Sequence, residues 1–260
     1  MKTVFLSASE LAKLTKDNKY EDPEKTLNGI LKKNGLSDVY VPKSNVEESL
    51  SKLSPDKLKE IKKELSLPET ANKKDIEDAV KQTIMKKSLK ADITEDKSKK
   101  KIDKKIADKP VLAAALETGI KKDLMMRRGN VKENQNLNKT QQKENIVISS
   151  RNSQMYTKTL YVSEDAIYKI VIRGKVDGIV DDVIVETKNR TKRLFHRIPN
   201  YEKVQLEAYM FLTEMDKAIH IECYNEEQNK TDYNHDAEFW EDRVAKIIAY
   251  VEENIAPLIK

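Results

Sequence analysis

The chain has 260 residues, 36% of them charged and 38% hydrophobic, with a formal net charge of +5. That length can bury a sizeable core in one or two domains, and the low apolar fraction leaves room for solvated helix or linker. A single cysteine, Cys223, excludes an internal disulfide and a cysteine-ligated zinc or iron–sulfur centre. No apolar run approaches the roughly 20 residues of a membrane span and Val4-Phe5-Leu6 is too short for a signal segment, so a soluble intracellular protein without membrane contact is expected.

Ser7-Ala8-Ser9-Glu10 has capping-box spacing and opens a predicted helix through Leu14. Asp22-Pro23-Glu24 starts a second helix that runs towards Lys33 and stops at Gly35. Residues 41–109 lack Gly, Cys, Trp and Phe; their 19 Lys/Arg against 14 Asp/Glu account for the whole net charge. They predict a helical insertion followed by a lysine-rich connector from Lys97 to Lys109. A lysine excess suits a polyanion partner, and a solvated helix face has the same composition. Leu112 to about Lys143 is expected to be mostly helical, with Gly129 a weak point. From Ile146 to Lys188 the pattern turns to strands, then to helix at Tyr201 to Met215 and a short strand at Ala218 to Tyr224. Phe239 to Leu258 closes the chain with Trp240, Val244, Ile247, Ile248 and Val251 at helical spacing. This order predicts the α/β class, a sheet flanked by helices. The expected division is 1–40, an N-terminal helical part; 41–109, the insertion and linker; and 110–260, the main core.

The chemistry concentrates between Gly174 and Lys188. Val171 to Val180 and Val183 to Val185 are rich in Val and Ile and read as two strands of a hairpin joined at Asp181-Asp182. Alternation points Glu186 and Lys188 to one face, with Asp177 on the partner strand within reach. Burying two carboxylates and an ammonium among Val and Ile is costly unless something compensates. A divalent cation held by Asp177 and Glu186 would compensate and would place Lys188 beside the reacting water or phosphate, the inventory for metal-assisted phosphodiester hydrolysis. Glu-x-Lys also occurs at Glu60-Ile61-Lys62 and Glu95-Asp96-Lys97, but only Glu186-Thr187-Lys188 ends an apolar strand with an Asp on the strand before. The plain alternative is an edge hairpin whose charges face water. Downstream, Lys188, Arg190, Lys192, Arg193 and Arg197 occur with no acid until Glu202, and Phe195 and His196 lie among them. Such cations can track phosphates and the aromatic could stack on a base; an ordinary charged loop reads the same way. The three histidines, His196, His220 and His235, have no ligand spacing.

On these residues the chain resembles the PD-(D/E)xK nucleases, and among them the phage lambda exonuclease and YqaJ-like viral recombinase group. Leu6-Ser7-Ala8-Ser9-Glu10, Arg128-Gly129-Asn130-Val131-Lys132-Glu133, Asp177-Gly178 with Glu186-Thr187-Lys188, and Gln205-Leu206-Glu207-Ala208-Tyr209 carry the resemblance, in that order. It covers roughly 5–35 and 115–255 and implies a restriction-endonuclease-like mixed sheet flanked by helices, with 41–109 as an all-α insertion. It further implies that Thr187 adds its carbonyl to a Mg2+ site in which Mn2+ substitutes, that Glu133 stands near a second metal, and that Gln205 holds water or phosphate. Ser9 would help hold a terminal 5′ phosphate. Lys175 replaces a Ser common before the catalytic Asp and joins the residues expected on DNA. Residues 58–80 resemble, more distantly, the SAP-type fold: two short helices joined by a Leu67-Pro68 turn, which would add sequence-independent affinity for duplex.

The expectation is therefore a Mg2+-dependent deoxyribonuclease, an exonuclease on duplex DNA ends in recombination, repair or viral replication. A single-strand annealing recombinase and a homo-oligomer are the partners such relatives imply. The rival readings are a structure-specific endonuclease or junction resolvase on the same fold, and a non-catalytic DNA-binding protein.

Overall fold

The computed structural model describes residues 1–20, 22–90 and 93–259. Two mixed sheets form the centre. In the first, β1 (Lys2–Ser7) pairs in parallel with β3 (Tyr168–Gly174), and β2 (Tyr156–Val162) pairs antiparallel with β3. The Val4-Phe5-Leu6 run is thus a strand, its Val4 and Leu6 side chains fully buried. In the second, β4 (Gly178–Val180), β5 (Val183–Asn189), β6 (Lys217–Tyr224) and β7 (Glu227–Asn234) lie in that order. Strands β5 and β6 are parallel, so the chain crosses over between them through α8 (Asn200–Thr213). Strand β7 escapes sequence pattern because Glu227–Asn234 has no apolar alternation; it is a polar edge held by its ladder to β6.

The hairpin expected over Val171 to Val185 is corrected. Its first strand breaks at 175–177, so β3 and β4 belong to different sheets. The β4–β5 ladder ends at Gly178–Val185, and beyond it the Thr187 N–H donates to the Asp177 carboxylate at 2.8 Å in place of a main-chain partner. The turn is as read: Asp181 and Asp182 have φ of 43° and 63°, the two left-handed residues that a two-residue hairpin needs.

Among the helices, a 3-10 turn (Ala8–Glu10) leads into the four-residue α1 (Leu11–Leu14), and α2 (Pro23–Lys33) ends before Gly35, whose φ is +67°. The insertion folds as α3 (Asn45–Ser51), α4 (Pro55–Glu64), α5 (Lys73–Ala79) with a π-helical extension over Val80–Met85, and α6 (Glu95–Ile106). The lysine-rich connector is corrected by α6: Thr94 caps it, Ile102 and Ile106 enter a core with Val46, Leu50, Ile61 and Ile76, and Lys97, Lys100 and Lys104 are exposed on the outer side. Nor does Gly129 interrupt α7 (Pro110–Glu144), 35 residues and about 52 Å long. One mid-helix glycine costs only about 1 kcal/mol, which buried residues of α7 on both sides of it offset.

Helix α7 joins the parts. Its Leu112, Leu116, Ile120 and Leu124 complete the insertion core, while Leu137 packs with Val180, Val185, Ile221 and Cys223 under the second sheet. Helix α8 covers that sheet's other face through Leu206 and Ile184, in a core shared with β1, β3, α1 and α9 (Ala237–Asn254). Strand β5 is therefore covered on both faces, and charges there need specific partners. The insertion is fastened at the end of this strand. The fully buried Glu95 of α6 accepts from Arg128 (3.2 Å), Lys132 (3.0 Å), Asn189 (3.1 Å) and the Asn225 N–H (3.0 Å).

Candidate active site

Strand β5 alternates as its sequence requires. Val185 and Thr187 turn towards α7, and Glu186 and Lys188 turn towards α8, where they meet Gln205. Lys188 Nζ donates to Glu186 Oε1 at 2.5 Å and to Gln205 Oε1 at 2.8 Å; Gln205 Nε2 in turn donates to the Tyr209 hydroxyl at 2.7 Å. Tyr201, Gln205 and Tyr209 lie one helical turn apart on one face of α8. Tyr209 reaches the cluster because residue 174 is glycine: a Cβ there would stand 2.9 Å from the tyrosine ring. Gly178 has a matching role beside Asp177, where a Cβ would collide with Ile148 at 2.3 Å.

Asp177, Glu186 and Thr187 are all buried. Burial first, and then the charges of Glu186 and Glu133, push the Asp177 carboxyl well above the usual carboxylate range, against the pull of the Thr187 N–H. Burial and Glu186 also raise the Glu133 carboxyl and the Tyr209 phenol. For Lys188 burial works against the charge, but Glu186 outweighs it and the net shift is upward, so the side chain stays an ammonium. Seven buried side-chain nitrogen and oxygen atoms among the described residues lack a hydrogen-bond partner, and Glu186 Oε2 is the one carboxylate oxygen among them. A desolvated carboxylate oxygen left unpaired costs more than a hydrogen bond returns. Two such carboxylates repelling one another beside a main chain able to offer carbonyl oxygen suit a hard divalent cation, which takes oxygen donors. Among the described residues no three His, Cys, Asp or Glu side chains are close enough to hold a metal together. The donor set that fits is therefore Asp177 and Glu186, with main-chain or water oxygens completing it.

The other expected residues divide. Glu133 is half-buried on α7, feels the charges of Glu186 and Lys188, and accepts a hydrogen bond from Asn152. It stands next to the site without joining the carboxylate pair. Ser9 and Lys175 are exposed, and Ala8, beside Ser9, packs against Gly174. Ser7 and Glu10 are engaged locally: Glu10 accepts from the Ser7 N–H at 3.0 Å and pairs with Lys33 at 2.5 Å. Lys192, Arg193 and Arg197 are exposed on the loop after β5, as a phosphate-tracking role requires.

Arg190 is the correction. It is buried, and its guanidinium is consumed by Glu202 (2.5 and 2.8 Å) and Glu222 (2.8 Å), so no phosphate can reach it. Glu222 also accepts from the Phe195 and His196 N–H groups at 2.9 and 2.6 Å, Glu202 meets His220 at 2.8 Å, and the guanidinium stacks 4.1 Å from the Phe195 ring centre. The network shapes the loop that presents the exposed cations. Glu202, Glu222 and His220 were not legible as a unit. They come from α8 and β6, and no spacing in the sequence links them to residue 190.

No protein-family model matches this chain, and no curated protein matches it. Its structural neighbours are alkaline and phage-related exonucleases. The crystal structure of LHK-Exo in complex with dAMP is similar over 97% of this chain and 89% of that chain, at 10% identity and a TM-score of 0.47. An alkaline exonuclease (LHK-Exo) from Laribacter hongkongensis is similar over 66% and 85%, at 12% identity and a TM-score of 0.40. A phage related exonuclease from Haemophilus somnus 129PT is similar over 52% and 73%, at 15% identity and a TM-score of 0.37.

Proposed function

We propose that this chain is a divalent-metal-dependent DNA nuclease of the PD-(D/E)xK type. The observation that carries the reading is the unpaired Glu186 Oε2, buried with Asp177 and flanked by an ammonium that Glu186 and Gln205 hold in place. Of the buried side-chain nitrogen and oxygen atoms without a partner among the described residues, it is the one carboxylate oxygen.

Asp177 and Glu186 would hold the cation, with the Thr187 carbonyl beside them. When bound, a divalent cation supplies Lewis-acid polarisation of the scissile phosphate and acidifies a water molecule. Lys188 acts through its charge. Its raised proton affinity makes it a donor at neutral pH and a poor base, so it orients the attacking oxygen and stabilises negative charge developing on the phosphate. Gln205 fixes the lysine head group, and Tyr209 fixes Gln205. Glu133, which feels the charges of Glu186 and Lys188, would tune the field at the site or meet a second cation once the carboxylate pair is neutralised. Lys192, Arg193 and Arg197 would follow phosphates of bound DNA, and Ser9 and Lys175 would approach a strand terminus.

Exonuclease action at duplex ends, with the surviving strand passed to an annealing recombinase, extends this reading. Incubating linear and closed circular duplex with Mg2+ or EDTA tests both levels. The expected result is degradation of the linear form alone, only with metal, and none by Glu186→Gln. Nicking or cutting of closed circles would favour an endonuclease, and metal-independent cleavage would sink the site.

A further inference from the structure

A second feature lies where the insertion meets the main core. A cleft of about 670 Å³ is bounded by the segment leading into α2, by α6 and the middle of α7, and by the loop after β5. Lys99 of α6 crosses its floor, donating to the Thr191 carbonyl at 2.6 Å, so the two walls are joined. Tyr20 stands at the lip with 88% of its surface exposed, its ring perpendicular to Tyr201 at 6.3 Å. Tyr201 is one turn before Gln205, so Tyr20 ties the lip of the cleft to the helix that carries Gln205. Met126, also in the lining, is 68% exposed. Lys122 and Lys192 are exposed on the two walls, and among the described residues neither has a carboxylate partner. The two acids of the lining are already engaged: Glu48 by Lys25 and Lys52, and Asp22 by the amides that it caps.

An exposed tyrosine face, a thioether and two uncommitted ammonium groups in one groove are what an unpaired strand requires. Bases stack on aromatic faces and phosphates follow the cations, without sequence preference. A duplex suits the groove poorly. Its volume is that of a small-ligand pocket, and paired bases hide the faces that Tyr20 could use. We propose that this cleft holds an unpaired DNA strand, with a base stacked on Tyr20 and phosphates met by Lys122 and Lys192. This deepens the nuclease reading and rests on it.

The test is fluorescence anisotropy of a fluorescein-labelled oligothymidylate in EDTA, where no cleavage interferes. The full chain should bind, and Tyr20→Ala should lose about tenfold in affinity while Tyr20→Phe keeps it. Tyr20 is exposed, so its truncation removes little packing, and superimposable thermal melts check that. Replacing Lys122 and Lys192 together by Ala should make the log–log salt slope shallower by about 1.4. No binding by the full chain, equal affinity in Tyr20→Ala, or an unchanged slope in the double-lysine variant overturns the proposal. Cleavage of linear duplex with Mg2+ is scored in parallel. Tyr20-dependent binding without cleavage overturns the nuclease reading and leaves the cleft standing; cleavage with Tyr20-independent binding does the reverse.

Discussion

Two buried clusters of charge lie side by side on β5 and its neighbours, and they are completed differently. Around Arg190 both oxygens of Glu202 and both of Glu222 have donors, and every guanidinium nitrogen is used. Around Glu186 one carboxylate oxygen has no donor, and the neighbouring Asp177 is driven towards its protonated form by its surroundings. Burial of charge is common to both and so does not mark a site. What distinguishes them is completion: the first cluster has a partner for each of these atoms and positions a loop, whereas in the second Glu186 Oε2 has none, and on the proposed function a cation would bind there.

The sharpest break in that comparison is catalytic. Glu186→Gln and Lys188→Ala should each lower cleavage of linear duplex by about a thousandfold or more while leaving DNA affinity within a few-fold. Equal losses of binding and cleavage would make Lys188 a structural residue. The next effect falls on the other cluster. Arg190→Ala should destabilise the fold by about 3–5 kcal/mol, because it strands two buried carboxylates. Urea midpoints should show this, whereas Glu186→Gln, which removes a repelling charge, should leave metal-free stability equal or higher. Adding Mg2+ or Mn2+ at a hundred times its dissociation constant should stabilise the wild type by about 2.7 kcal/mol and Glu186→Gln hardly at all.

Acidity separates the clusters by sign. Burial alone would raise the Glu202 carboxyl, but His220 and Arg190 hold it down at about 2. Its contribution is present above the unfolded value of 4.5 and is lost as the pH falls towards 2. Asp177 is raised, so in metal-free protein its contribution favours the native state below 3.8 and disappears as the pH rises through its elevated value. Urea titrations between pH 3 and 8 should therefore show a neutral-pH gain in Asp177→Asn and a smaller acid loss in Glu202→Gln. The smallest effect is at the surface. Arg193→Ala should leave stability unchanged and reduce the salt slope of DNA binding by about one, the opposite of what Arg190→Ala does.

What the sequence revealed follows from this contrast. Glu186 and Lys188 were legible because a strand's alternation is strict and because so much Val and Ile around two charges demands an explanation. Gln205 was legible through the resemblance carried by Gln205-Leu206-Glu207-Ala208-Tyr209. Arg190 was misread because a cation among cations looks solvated until its partners, 12 and 32 positions away, are seen. The connector at 97–109 was misread for a related reason. Six lysines in α6 hide an apolar side that needs only Ile102 and Ile106 to enter a core.

The sequence by itself determined local matters: where helices are capped, where the Asp181-Asp182 turn reverses the chain, and which side chains of β5 share a face. Those depend on backbone sterics and on spacings of a few residues. Only the tertiary structure decided which charges are satisfied. Hydrogen-bond partners of buried groups are recruited from other strands and helices, at separations that leave no periodic trace. The same packing that gave Arg190 its two carboxylates withheld a donor from Glu186, and it made a cleft from an insertion and a loop about 90 residues apart.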